Sequence, residues 1–278
     1  MTATILILFS AAVHAVVNVL TKGASDRLVM RMLIGVTSAA ITLLFTPFVP
    51  LPDATLLMYL GISFVIHLIY ELALVAAYDR GDMAVVYPIA RGIGPAGSAA
   101  GALLFFQEAV SAPTLIGVAF VSLGCVALSA AGGAAHRPTL SALGFAVLTG
   151  VTIACYTLVD AAAMRHAEVG LTYVLWFFVA HACVTTLATL AFRRRRTLSL
   201  LRQQWRTGMI AGVLSVLTYG SALMAFRFGA TAEMAALRET SVLFGAVLAV
   251  LVLREKMTPG RWAGAALITA GALAIKLI

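Results

Sequence analysis

The stretch MAVVYPIARGIGPAGSAAGALLFFQE, Met83 to Glu108, decides the fold. It is long enough to cross a bilayer, yet its middle holds Arg91, Pro88, Pro95 and four glycines. Its skeleton returns as AEMAALRETSVLFGAVLAVLVLRE, Ala232 to Glu255. In both copies an arginine stands 17 residues before a glutamate, Arg91 to Glu108 and Arg238 to Glu255. The same shift of 147 carries Gly117 onto Gly264, Gly124 onto Gly271 and Ala127 onto Ala274. Upstream, a shift of 149 lays Tyr70 over Tyr219, Ala73 over Ala222, Leu74 over Leu223 and Ala76 over Ala225. The chain therefore reads as one unit used twice, residues 1–134 and 135–278.

Of the 278 residues, 62% are hydrophobic and 11% charged, against roughly 25% charged in soluble domains. A water-facing fold of this length cannot hide so much apolar side chain, so lipid must cover part of it. Apolar runs of about 20 residues, the length that crosses the hydrocarbon core, recur almost end to end. They are continuous rather than alternating, which excludes barrel strands and leaves helix. The net charge of +8 does not form a nucleic-acid-binding face. Six of the 19 basic residues fall between Arg193 and Arg206, and most others lie in short gaps between apolar runs, the pattern of positive-inside loops. Cys125, Cys155 and Cys183 stand alone inside apolar runs, without metal-ligand spacing, and no cofactor is expected. The opening MTATILILFSAAVHAVVNVLTKG lacks a basic leader and a cleavage site, so it reads as a first span rather than a signal peptide. With no HExxH, GxSxG or phosphate-binding glycine loop, nothing points to an enzyme.

Ten spans fit, at 3–21, 28–49, 54–77, 83–106, 114–132, 142–164, 171–192, 208–227, 232–253 and 262–278. The expected fold is an all-α polytopic membrane protein of ten transmembrane helices, five per repeat. An odd number of crossings per repeat turns the second copy over, so the two repeats are inverted. Thirteen Lys and Arg fall in the gaps on one side, those after spans 1, 3, 5, 7 and 9, and three on the other. This places the Arg193–Arg206 loop in the cytoplasm and both termini outside. The glycine pairs Gly97/Gly101, Gly117/Gly124 and Gly264/Gly271 mark faces for close helix packing.

Polar groups inside a membrane need a partner or a wet cavity. The strongest pair is Arg91 and Arg238, at matching positions of the two repeats, with Glu239, Tyr87, Tyr156, His14 and Asn18 as further candidates for substrate binding. Two readings stand side by side. The guanidinium groups hold an anionic or zwitterionic ligand, or they neutralise Glu71 and Glu239. Pro88 and Pro95 are expected to break the fourth span and free carbonyls for a ligand. His67 and Glu71, four apart on one helix face, form either a proton relay or a satisfied core pair. His181, beside Cys183 in an aromatic helix, reads as a core histidine.

These features together resemble the drug/metabolite transporter superfamily, in its ten-helix branch with two EamA-type repeats. The resemblance rests on HAVVN (His14 to Asn18) with Lys22, ACYTLVDAAAMR (Ala154 to Arg165), VYPIARG and LRETS, and on the closing segments QEAVSAPTLIGVAFVSLG and REKMTPGRWAGAALITAG. It departs from many relatives in having His14 where they carry Trp. The resemblance implies secondary transport by alternating access through a cavity lined by spans 1, 3, 4, 6, 8 and 9. The expected activity is export of amino acids, metabolites or drug-like compounds across a bacterial inner membrane, by a monomer or homodimer with possible proton coupling. An importer of an anionic metabolite and a non-transporting membrane scaffold are the alternatives.

Overall fold

The computed structural model describes residues 1–81, 83–130, 139–193, 197–253 and 258–277. These residues form helices and no strand: α1 (Thr2–Lys22), α2 (Arg27–Leu43), α3 (Ala54–Arg80), α4 (Met83–Phe105), α5 (Ala112–Ala130), α6 (Leu140–His166), α7 (Gly170–Arg193), α8 (Thr197–Phe228), α9 (Thr231–Arg238), α10 (Thr240–Leu253) and α11 (Pro259–Leu277). Five of the described helices, α1, α3, α6, α7 and α8, are long and apolar enough to cross a membrane. The 134/135 repeat boundary, Glu255 and the heart of the basic run at 194–196 lie outside the described residues.

The helix bounds differ from the expected spans where local chemistry intervenes. α2 stops at Leu43, six residues early, because Pro47 cannot continue a helix and the chain turns through a short 3₁₀ segment, Thr46–Phe48. α8 begins at Thr197, taking in the polar stretch before the apolar run. The expected break in the fourth span is not there: α4 runs unbroken through both prolines. A proline removes one donor, and membrane helices re-satisfy the freed carbonyl locally. The break lies instead in the ninth span, where α9 ends at Arg238, Glu239 forms a turn and α10 starts at Thr240.

The helices sort into two compact units. The first holds residues 1–68 and 160–228, the second residues 69–159 and 229–278. Within the first, α1 and α8 are locked by reciprocal bonds: Ser10 Oγ donates to the Thr218 carbonyl, and Thr218 Oγ1 to that of Ser10, both at 2.6 Å. α2 crosses α7 antiparallel, with Gly35 against Ala182 and Thr185, and Thr189 Oγ1 donating to the Leu28 carbonyl. The α2 N-terminus is capped by Asp26, which accepts from the Leu28 and Val29 N–H groups and pairs with Arg193. Arg227 closes the C-terminal end of α6, donating to the carbonyls of Met164, Ala167 and Glu168.

In the second unit α5 and α11 pack antiparallel at backbone contact. A Cβ on Gly117 would stand 2.7 Å from the Gly271 carbonyl oxygen, and one on Gly124 would stand 2.8 Å from that of Gly264. Gly264 faces the Leu128 backbone, whose nitrogen would lie 2.4 Å from a Cβ there. Only glycine admits so close an approach, and in lipid such packing holds helices together. At the end of α4, Gln107 takes a left-handed φ of 51° while the Glu108 N–H returns to the Ala102 carbonyl. The Glu108 carboxylate then caps α9, accepting from Thr231 N–H at 2.9 Å and Thr231 Oγ1 at 2.8 Å.

Candidate functional site

The second unit gathers Tyr87 and Arg91 of α4, Glu239 at the helix break, Ser241 of α10 and Cys125 of α5. Tyr87 and Arg91 are one helical turn apart, so the Arg91 Nε donates to the Tyr87 hydroxyl at 3.0 Å. The guanidinium carbon lies 5.3 Å from the Tyr87 ring centre, within cation–π range. Nη1 donates to Glu239 Oε1 at 2.9 Å, Nη2 reaches Ser241 Oγ at 3.4 Å, and the Cys125 sulfur lies 4.0 Å from Glu239 Oε2. The Arg91 and Glu239 side chains are 12% and 5% exposed, so the pair sits largely away from solvent.

The break that presents Glu239 has a local cause. The Thr240 hydroxyl donates to the Leu237 carbonyl at 2.7 Å, and the chain tightens to i→i−3 bonds, Glu239 N–H to Ala236 and Val242 N–H to Glu239. A tight turn inside a helix marks a hinge or a functional position. Neighbouring charge adds to the cluster: Glu239 feels both Arg91 and Arg238. The Tyr156 hydroxyl feels Arg238, Arg91 and Glu239, while its ring meets Tyr70 edge-on at 5.7 Å. Two guanidinium groups, a carboxylate and two phenols offer both charge signs and several donors in one place. Glu71 also belongs to this unit and is 1% exposed.

His14, Asn18 and His67 belong to the first unit. His14 is half-buried and Asn18 exposed on α1. His67 is buried on α3, with Nδ1 2.9 Å from the Ser63 carbonyl and its ring 5.6 Å from that of His181. Within its own unit His67 is met by Ser63, one turn earlier on α3. Two groups at the Arg91 cluster escape a reading by span and charge alone. Ser241 and Cys125 carry no charge to flag them. Asp160 turns out to be the acceptor of Ser63, Tyr173 and Tyr219.

The chain is similar to known proteins in three ways. Residues 140–277 match the model of the EamA-like transporter family. A segment of 97 residues is 32% identical to an uncharacterized protein of Methanocaldococcus jannaschii, covering 35% of this chain and 70% of that one. A protein of known crystal structure superposes with a TM-score of 0.77 at 17% identity, covering 100% of this chain and 99% of the other.

Proposed function

This chain belongs to the EamA-like transporter family of the drug/metabolite transporter superfamily, and on that premise we propose that it exports a zwitterionic or anionic small solute by alternating access. Membership makes it a multi-pass membrane protein that transports small solutes. The observation that carries the finer reading is the Arg91–Glu239 cluster at the α9/α10 break. A guanidinium suits carboxylate recognition, and broken helices at internal repeats are where transporters of this general design take their ligands. Arg91, Arg238, Glu239, Tyr87 and Tyr156 form the ligand set in this reading, and His14 and Asn18 of α1 are further candidates. Glu71 and His67 serve coupling to protons. An inner-membrane location and a monomer or homodimer complete it.

Packing within the second unit supports ten spans in two inverted repeats. Under the 147-residue register, the close contact Gly117–Gly271 maps onto Gly264–Gly124, which is the other close contact of the same helix pair. A contact set that its own repeat operation exchanges is what a local two-fold axis produces. Because α5 and α11 run antiparallel, that axis lies across the helices and inverts one repeat against the other.

Ligand-dependent thermal stabilisation of the purified protein tests the function, since a ligand that binds only the folded state raises apparent stability. A panel of amino acids, carboxylates and cationic drugs is expected to yield stabilisation by zwitterions or anions. The same compound is expected to show saturable flux in proteoliposomes. Stabilisation by cations alone would overturn the ligand class, and binding without flux would favour a scaffold.

A further inference from the structure

We propose that the first unit carries a proton-binding site built from His67, Ser63 and Asp160, with His181 beside it. Its use in coupling rests on the transporter reading above, but the site itself does not. The argument begins with the tautomer of His67. Its Nδ1 lies 2.9 Å from the Ser63 carbonyl oxygen, and a carbonyl can only accept. Nδ1 therefore carries the hydrogen, and the lone pair of the neutral ring is on Nε2. The Ser63 hydroxyl gives its own hydrogen to Asp160 Oδ1 at 2.7 Å. At 3.2 Å from Nδ1 it can thus stand only as a second acceptor. The donors run one way, from His67 to Ser63 to Asp160.

Asp160 ends that chain. It is 0% exposed, and the Tyr173 and Tyr219 hydroxyls also donate to it, at 2.7 and 2.5 Å. Three hydroxyl hydrogens point at two oxygens, which fixes the carboxyl as acceptor. When Nε2 of His67 takes a proton, the imidazolium is joined to a carboxylate through one hydroxyl, so the load is compensated inside the membrane where a lone charge is costly. Release of that proton returns the ring to its neutral Nδ1–H form.

A small pocket lies beside the ring. Lined by His67, His181, Ser63, Phe64 and Phe177, it has room for about one water. His181 meets His67 edge-on at 5.6 Å. Two positive rings at that separation repel, so the pair holds one added proton at a time. Other charged or titratable groups of the described residues bear on this site. Arg31 of α2 acts on His181, Asp160 comes from α6, Tyr173 from α7 and Tyr219 from α8 with its ring 6.4 Å from His67. Glu71 follows one turn later on α3, in the second unit.

The test is ring-nitrogen NMR of the full chain labelled with [15N]histidine, titrated in nanodiscs. His67 is expected as the Nδ1–H tautomer at high pH, gaining one proton on Nε2 within about pH 4 to 10. Asp160→Asn is expected to weaken that proton affinity about tenfold or more, and Ser63→Ala to shift it the same way. An Nε2–H tautomer, an absence of titration, or an unmoved midpoint in the folded variants would overturn the site. If Asp160→Asn fails to fold, the wild-type tautomer and Ser63→Ala decide. Solute flux in the same preparation reports separately: flux with a silent His67 overturns this site alone. A titrating His67 without flux supports it and removes the transporter reading.

Discussion

Arg91 divides its guanidinium among a phenol, a carboxylate and a hydroxyl, and that division allows its two roles to be separated. If the ion pair with Glu239 is its whole purpose, Arg91→Gln leaves a buried carboxylate with Arg238 as its remaining guanidinium neighbour, a loss of up to about 3–5 kcal/mol. The double variant Arg91→Gln/Glu239→Gln then recovers the folded yield together with full ligand stabilisation. If the guanidinium also binds solute, the double variant folds and stays unresponsive to ligand. We expect the second outcome, read by size-exclusion profile and thermal shift. Arg91→Lys should fold and lose most ligand response, because lysine keeps the charge and loses the fork. At the surface, Asp53 offers a pH prediction. The Leu56 N–H and then His166, 3.0 Å away, hold its carboxyl below the usual range. A depressed folded value means the contribution is present above the ordinary carboxylate range and is lost as pH falls through the depressed value. The melting temperatures of wild type and Asp53→Asn should therefore differ at neutral pH and converge under strong acid. A gap that widens on acidification would contradict the assignment. Charged residues such as Arg91 and Glu239 were legible in the sequence because charge inside an apolar run is costly. Ser241, Ser63 and Cys125 were not, since small polar side chains are ordinary in membrane helices.

The helices themselves were legible from apolar length, and their breaks were misread. Prolines looked like the stronger breaker, yet α4 passes through Pro88 and Pro95 while the ninth span breaks at Arg238–Glu239–Thr240. The helix absorbs the donors missing at Pro88 and Pro95, while around Glu239 the Thr240 hydroxyl donates to the Leu237 carbonyl and the chain takes i→i−3 bonds. Two measurements follow from that difference. Pro95→Ala is expected to leave flux close to wild type, since there is no break for it to mend. Amide hydrogen exchange at Glu239 to Val242 should run faster than in the middle of α4, because local opening begins where helical bonds are weakest. Slow exchange at the break together with impaired flux in Pro95→Ala would return the hinge to α4.

At the scale of the chain, a register of glycines and arginines carries the repeat reading, because close packing and buried charge tolerate few substitutes. How the helices divide into two units was not visible, since that depends on which faces meet. The topology is where sequence and structure make a joint prediction that can fail. α9 and α10 have 8 and 14 residues, about 12 and 21 Å of helix at 1.5 Å per residue. Neither alone spans a hydrocarbon core of about 30 Å, and in the ten-span reading together they make one crossing. Three crossings, α8, α9 with α10, and α11, then separate the basic loop from the C-terminus, so the two lie on opposite faces. If α9 and α10 instead dipped in and returned, only two crossings would remain and the two ends would share a face. Cysteines introduced at Gln203, exposed early in α8, and after Ile278 distinguish these cases in a background lacking Cys125, Cys155 and Cys183. With a membrane-impermeant maleimide on intact cells, the C-terminal cysteine should label and the Gln203 cysteine only after lysis, as the thirteen-to-three split of basic residues requires. Both labelling on the same side would remove the ten-span arrangement, and with it the inverted pairing of Arg91 and Arg238.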